Sequence, residues 1–582
     1  MEQSPHAAPR PGRTAAALPL TCLFLALWAV HALLLGPLRF TGDEVRYVAY
    51  GLGLLHGQGF HPADALWREM LAEAGVFTPL AASPVGQAGR IIHSVAYPIL
   101  GAPALWLFGL SGARWLSFAV GCLGLAMLFA ALARRFDRSI CLAALAAVAF
   151  ACPVLPYLRL FFAEVLLFTL NAAVLLFFVS GRHKRPENAL PAALGLCLLP
   201  FVHVKLSLEA ATAFGIVFLS LRPALSRTRQ AAMLAVAGAM FGLFLLYNQT
   251  LFGSPIGGGN PAFPVSPLAI PDRVVVNLLD MRHGLLPNAP HLLVALVGLF
   301  FVWRDREGAG RIVLGLLGAY FFTMLWANGS EAYAARNWMA AMPFVTWGLA
   351  RWLAEPGRAG KFWALPFFLL SFCLLCVLVR WPDAFLDSRN YSVPYDRLFT
   401  LLKYLHFGYL LPYDFLDHDG AGLNASLGLG LGVAAVLGLF AAGQAVAART
   451  RRKGIGGALQ ALSLAVILFF SLVEPVTPVA VSLVADETHY YVNLALDKPE
   501  RLAFLRIDNP DAAMKPHGFF TLALLDKTDT ASLVARASVI TPLPPFKPVA
   551  AILLAETVDR PDKRWLDTAT GAALYRRMLS AP

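Results

Sequence analysis

Apolar runs of about 20 residues recur along most of this chain, each long enough to cross the roughly 30 Å hydrocarbon core of a bilayer as a helix. Inside lipid a backbone has to satisfy its own polar groups, and the helix is the local way to do so. Composition agrees with the pattern. Hydrophobic residues make up 58% of the 582 and charged residues only 14%, against about 25% in soluble domains. The mean hydropathy is +0.63. The chain reads as a polytopic α-helical membrane protein.

A formal net charge of +12 invites a nucleic-acid reading, but its placement argues against one. From Thr477 to Pro582 there are 12 basic and 12 acidic residues, so the excess lies wholly in the apolar part. There it gathers in short loops: Arg134, Arg135 and Arg138; Arg182, Lys184 and Arg185; Arg222, Arg227 and Arg229; Arg304, Arg306 and Arg311; Arg449, Arg451, Arg452 and Lys453. Basic loops of that length mark the cytoplasmic side of a membrane protein. The seven cysteines (Cys22, Cys122, Cys141, Cys152, Cys197, Cys373 and Cys376) lie in or beside apolar runs. They read as small packing residues, and a disulfide framework or thiolate metal site in a loop is not expected.

Placing the basic loops inside predicts spans near 14–36, 98–133, 139–157, 160–180, 189–204, 206–221, 231–251, 286–303, 311–326, 338–353, 361–380, 425–447 and 455–475. That is about 13 crossings, with the N-terminus cytoplasmic and the C-terminus outside. The first span resembles a signal peptide without a convincing small-residue cleavage site, so it is expected to remain. The second run combines an interfacial helix with a true crossing that begins near Arg114. The polar outer segments are then 37–95, 252–285, 327–337, 381–424 and 476–582. Segment 37–95 carries a surface helix around Trp67, Arg68, Glu69 and Glu73.

Residues 1–475 are thus expected to form the membrane domain, and 476–582 a separate outer domain. In the latter, HYYVNLALD, RLAFLRID and HGFFTLALLD are short apolar runs separated by KPE and NPDAAMKP. The punctuation predicts antiparallel strands in a β-rich or mixed α/β domain, with a short helix around Trp565 to Met578. There is no internal repeat.

The stretch FTGDEVRYVAYGLGLLHGQGF puts Asp43 and Glu44 just after the first apolar run, on the outer side. Tyr47, Tyr50 and Leu54 follow at helical spacing, which sets the acids at a helix N-terminus, where negative charge is favoured. The plain reading is capping acids in a wet loop. The functional reading is a general base at the mouth of a membrane cavity, Asp43 taking a proton from a hydroxyl nucleophile while Glu44 orients the acceptor. Glu164, early in an inward-running span, is a shallow ionisable group, either a cavity acid or a contact to a neighbouring helix.

His203 and Lys205, in FVHVK, fall at an outer hairpin. A cation there suits a lipid-linked phosphate, or else is a lysine reaching for the interface. Arg282 and Arg336 stand at two more outer loop-to-helix junctions, either as phosphate ligands or as interfacial anchors. GSPIGGGN at 253–260 is not spaced as a nucleotide loop, and no Walker, dinucleotide-binding or HExxH motif occurs.

Taken in order, these segments resemble the membrane glycosyltransferases of the GT-C superfamily, in particular its protein O-mannosyltransferase and lipid A aminoarabinose transferase branches. The resemblance rests on GDEVRYVAYGLGLLHGQGF, HSVAYPILGAPALWLFG, FVHVK, YNQTLFGSP, DMRHGLLPNAP and WANGSEAYAARNWMAAMP. It runs from residue 14 to about residue 350. It implies transfer, with inversion, of a sugar from a polyprenyl monophosphate to an acceptor on the outer face of a bacterial cytoplasmic membrane. Asp43 matches the family's catalytic acid and Glu44 its partner, while Lys205 lies where the family keeps a basic residue near the carrier phosphate. Arg282 and Arg336 are our additions to that phosphate site, with His203 beside them. Some members use a divalent metal at the acidic loop; no convincing ligand set is visible here, and metal dependence stays open.

Residues 351–582 match no family motif, so the acceptor (glycan, lipid or protein) is not specified. Two other classes compete. A lipid flippase or transporter would also have many spans and cationic outer loops, but it sits poorly with the absent repeat symmetry and the few mid-span charges. A scaffold or sensor would depend on residues 476–582 and not on Asp43.

Overall fold

The computed structural model describes residues 14–35, 43–60, 93–255, 284–305, 308–325, 335–355 and 364–380. It also describes isolated positions such as Leu38, Ile91 and Asn277, and seven strands between 480 and 557. The expected spans 425–447 and 455–475, the surface helix around Trp67, Arg282 and the helix around Trp565 lie outside the described residues.

The membrane part is built of helices. They are α1 (Thr14–Ala29, extended by a π-helical turn Val30–Leu34), α2 (Asp43–Leu55), α3 (Ala96–Leu132), α4 (Arg138–Ala149) and α5 (Val154–Tyr157). Then follow α6 (Ala163–Val179), α7 (Ala189–Val202), α8 (Ser207–Leu221), α9 (Arg227–Phe252), α10 (Leu285–Asn288), α11 (Leu292–Asp305), α12 (Gly308–Met324), α13 (Met342–Ala354) and α14 (Leu365–Arg380). The stretches Ala96–Leu132, Val204–Ala224 and Arg227–Phe252 are long and apolar enough to cross a membrane, and several shorter helices are equally apolar. Trp106, Phe108, Leu219 and Phe241 are among the large apolar side chains left exposed on them. A surface of that kind faces lipid rather than water.

One expected boundary changes, and one expected break gains its residue. The run at 139–157 is not one helix: α4 stops at Ala149, and Pro153 and Pro156 follow. Each proline lacks the N–H that would continue the ladder. A compact segment, including α5, leads from there into α6. The run at 98–133 breaks at Gly109, which takes φ 60° and ψ −154°. That backbone conformation belongs to glycine almost alone, and it separates the part before Arg114 from the long helix after it.

Short connections reverse the chain between α6, α7, α8 and α9, so the start of α6, the α7–α8 turn and the approach to α13 share one end of the bundle. At the opposite end, Arg135 and Phe136 beyond α3 meet Gly310 near the start of α12 and Arg351 near the end of α13. The arginines of the loops after α3, α6, α8 and α11 fall at this second, basic end.

Packing within the bundle depends on small residues that let backbones approach. On α11 and α13, Gly298 faces the Gly348 carbonyl and Gly348 faces the Ala295 carbonyl. A side chain at either has no room.

Beyond the helices, β1 (Ala480–Ala485), β2 (His489–Glu500), β7 (Val549–Thr557), β4 (Phe520–Leu525) and β5 (Ala531–Ala537) form a five-stranded antiparallel sheet in that order. β3 (Phe504–Arg506) pairs with β6 (Ile540–Pro542). The KPE sequence, expected as a turn, instead continues β2, and the pairing with β7 shifts register between Ala495 and Glu500. Pro499 falls within this irregular stretch of the pairing.

Replacing Gly298 with valine should overpack the α11–α13 contact and cost about 1–3 kcal/mol. Thermal melts in detergent should show a lowered midpoint for Gly298→Val and none for Gly315→Val, where a new Cβ meets nothing within 4 Å. Equal midpoints for the two variants would contradict this account of the packing.

Candidate functional site

At the end of the bundle away from the basic loops, a carboxylate is buried in the first turn of α6. Glu164 has no exposed surface, and Arg336 donates from Nε to its Oε1 at 2.6 Å. Lys205 Nζ approaches the same oxygen at 3.8 Å and donates to Asn337 Oδ1 at 3.0 Å. The Arg336 side chain is 7% exposed and that of Lys205 16%. Two cations therefore share one buried acid in a largely dry place. The Arg336 guanidinium also lies 4.9 Å above the Phe162 ring, a contact worth up to about 2 kcal/mol when desolvated. Glu164 Oε2 is buried with no hydrogen-bond partner in the described structure.

Each cation is placed by its backbone. Lys205 sits in a 3₁₀ turn, Val204–Leu206, between α7 and α8. His203 caps that turn: its Nδ1 accepts the Lys205 N–H at 3.2 Å, so this nitrogen carries no proton. Arg336 opens a second 3₁₀ turn, Arg336–Ala341, ahead of α13. Ala335 before it adopts φ 55° and ψ 25°, a left-handed conformation that costs a non-glycine residue about 1 kcal/mol or more. The turn is pinned from below, since Tyr320 on α12 donates to the Asn337 carbonyl at 3.0 Å and Asn171 on α6 donates to the Ala340 carbonyl at 2.8 Å. Asn171 also donates to Glu209 on α8 at 3.2 Å. Glu209 is fully buried, and among the described ion pairs none reaches it.

α2 lies against this cluster. Its Glu44 accepts two hydrogen bonds from Arg114, Nε to Oε1 at 2.9 Å and Nη2 to Oε2 at 2.8 Å, while Oε1 also takes the Phe161 N–H at 2.9 Å. Arg114 Nη1 holds the Leu38 carbonyl at 2.9 Å. Glu44 thus ties the loop entering α2 to the segment entering α6, three residues before Glu164. From the other side Arg46 Nη1 meets His93 Nε2 at 2.9 Å, and the neighbouring Ser94 hydroxyl donates to the Val202 carbonyl just ahead of His203. Tyr47 places its ring edge-on to Phe162 at 6.1 Å.

Of the residues singled out from sequence, the structure brings Glu164, His203, Lys205 and Arg336 together. Asp43 is the first residue of α2, next to Glu44 and so on the cluster's flank, but its side chain is outside what the structure describes. Glu44 accepts three hydrogen bonds from Arg114 and Phe161, which fits a positioning part better than contact with an acceptor. Arg114, Asn171, Glu209 and Asn337 were not singled out as site residues. Arg114 and Glu209 each carry a signal that would have found them, an ionisable residue within an apolar run. Asn171 and Asn337 carry none, because their partners come from remote parts of the chain. Among the described residues no group of three or more His, Cys, Asp or Glu could hold a metal ion.

Two substitutions test this construction. Glu44→Gln breaks a bidentate buried pair and should cost about 3–5 kcal/mol; the midpoint should partly recover when Arg114→Leu is added, since the unpaired charge is then gone. Ala335→Gly should be neutral or stabilising, whereas Ala335→Val should destabilise, because a β-branched residue strongly resists φ above zero. Detergent melts read both, and an Ala335→Val protein as stable as the parent would refute the left-handed turn.

No family model and no curated protein matches the sequence. Among solved structures the chain is similar to ArnT from Cupriavidus metallidurans bound to undecaprenyl phosphate, with 14% identity and a TM-score of 0.38, over 79% of this chain and 76% of that one. A likeness of that size carries no activity from one protein to the other.

Proposed function

We propose that this protein transfers a hexosyl or pentosyl group from a polyprenyl monophosphate carrier, undecaprenyl or dolichyl, to an acceptor at the outer face of the bacterial cytoplasmic membrane. The observation that carries the reading is the pair of cations, Lys205 and Arg336, converging on buried Glu164 at the bundle end opposite the basic loops. With the basic loops cytoplasmic, that end faces outward, where no nucleotide sugar is available and a lipid-borne donor is.

The chemistry follows from the charges. The acceptor hydroxyl attacks the anomeric carbon from the face opposite the phosphate, a new C–O bond forms, and configuration inverts. The bond from the anomeric carbon to the phosphate oxygen breaks, and its electron pair leaves on the phosphate. Asp43, at the head of α2, takes the hydroxyl proton. Lys205, the more exposed cation and the farther from Glu164, turns to the phosphate, while Arg336 stays on Glu164 and adds its field. Stabilising charge that develops on a leaving group, in a site shielded from water, is the largest single contribution such a site can make. Glu44 and Arg114 hold α2 in register with this cluster and touch neither reactant.

The test is a reconstituted assay with radiolabelled polyprenyl-phosphate sugars and an envelope extract as acceptor, scoring labelled product together with free polyprenyl phosphate. Asp43→Asn should lower kcat by at least about a hundredfold, within the range for losing a general base. Lys205→Met should lower kcat/KM for the donor with the fold intact. Donor lipid that changes leaflet without release of polyprenyl phosphate, equally in both variants, would assign the protein to lipid flipping instead.

A further inference from the structure

Below the ion cluster, a buried hydrogen-bonded pair is short of one donor. Asn171 on α6 and Glu209 in the first turn of α8 both lack exposed surface. The Asn171 amide gives its two N–H groups to Glu209 Oε2 at 3.2 Å and to the Ala340 carbonyl at 2.8 Å. Those bonds fix the orientation of the amide, because turning it over would set its oxygen against the Ala340 carbonyl, acceptor to acceptor. Asn171 Oδ1 and Glu209 Oε1 remain, two buried oxygens that meet no hydrogen-bond partner in the described structure. Buried polar atoms are seldom left so. An ionised carboxylate is an acceptor only, so ionised Glu209 cannot supply what its neighbour lacks.

No counter-charge answers Glu209 either. Among the titratable groups on elements packed against α8, Tyr320 on α12 lies close enough to interact with it, but the Tyr320 hydroxyl donates to the Asn337 carbonyl. Lys205, in the turn ahead of α8, reaches Glu164 and Asn337. Arg182, Lys184 and Arg222 belong to turns at the far, basic end of α8. Among the described residues no cation forms an ion pair with Glu209. A carboxylate so placed would carry its charge into a dry interior uncompensated, which is too costly to keep. One proton on Oε1 removes the charge and creates the missing donor together.

We propose that Glu209 is held as the neutral acid, its Oε1 hydroxyl donating to Asn171 Oδ1, and that this two-way bond makes it a positioning residue for Arg336. The amide that Glu209 orients is the one that grips the Ala340 carbonyl, in the turn Arg336–Ala341. That turn sets Arg336 on Glu164, beside the leaving phosphate of the transfer proposed above, and the positioning half of the inference rests on that transfer. The protonation half does not.

Infrared difference spectra of the full chain at neutral pH, in a detergent without ester groups, read the proton directly. Parent minus Glu209→Gln should contain the carbonyl stretch of a protonated carboxyl and no carboxylate band. Kinetics read the positioning. Glu209→Leu releases Asn171 and should raise the KM for polyprenyl-phosphate sugar about fivefold, the equivalent of one lost hydrogen bond, with the acceptor KM unchanged. Glu209→Gln, whose amide donates to Asn171 Oδ1 as the neutral acid does, should recover the parent KM. If Glu209→Leu fails to fold, the spectrum and the Glu209→Gln KM still decide. A parent protein that transfers no sugar defeats the transfer reading alone, and the infrared band then decides the state of Glu209. A carboxylate band in the difference spectrum, or a Glu209→Gln protein as impaired as Glu209→Leu, overturns the proposal.

Discussion

The buried carboxylate of Glu164 is the constraint on which the end of the bundle away from the basic loops depends. An isolated ionised acid in a dry interior is too costly to keep, so its position at the head of α6 demands cations. They arrive from two places far apart in sequence, the α7–α8 turn and the turn before α13. Removing Glu164 would take from both cations the acid they share, and breaking a buried pair costs more than the pair contributes in place. The ion cluster therefore fixes which segments meet. It also gathers two cations beside one acid before any ligand arrives.

Three described acids near this end, Glu44, Glu164 and Glu209, divide the work by how their oxygens are engaged. Glu44 has both oxygens on Arg114 and one also on a backbone N–H, so three of its roughly four acceptor positions are taken within the fold. Its effect is mechanical, joining the start of α2 to the start of α6. Glu164 uses one oxygen and leaves the other buried without a partner, so its hold on Lys205 is loose at 3.8 Å while its hold on Arg336 is tight at 2.6 Å. Glu209, lower in the bundle, meets only the Asn171 amide among described partners, and through it the turn that carries Arg336. The chemistry proposed for Asp43 thus rests on neighbours whose roles are structural.

Local pattern made much of this legible. Apolar runs located the helices because membrane spans are a problem of length and composition, and α7 and α8 fall within a few residues of the runs at 189–204 and 206–221. The glycine conformation that breaks the second run and the prolines that end α4 are local signals as well, and of these the expected boundaries had absorbed the first but not the second. Long-range pairing was not legible. Glu164 and Arg336 are 172 residues apart, and Glu44 and Arg114 are 70 apart. No periodicity in a single sequence says which charge answers which. The left-handed Ala335 was hidden for a related reason: alanine gives no hint of positive φ, and the conformation is imposed by Tyr320 and Asn171 gripping the turn from other helices.

The two ends of the bundle treat arginine by the same rule under different dielectric conditions. Each places cations around a single carboxylate, Glu164 at one end and Glu355 at the other. Glu164 is fully buried, whereas the Glu355 side chain keeps 11% of its surface and its arginines 21% and 23%. Attraction between charges strengthens as the effective dielectric falls, by several-fold between a wet surface and a drier pocket. The attraction between Arg336 and Glu164 therefore acts at a lower effective dielectric than that between Arg351 and Glu355, although both contacts span 2.6 Å. Burial of the central carboxylate, and not distance, sets how strongly each end holds its arginine.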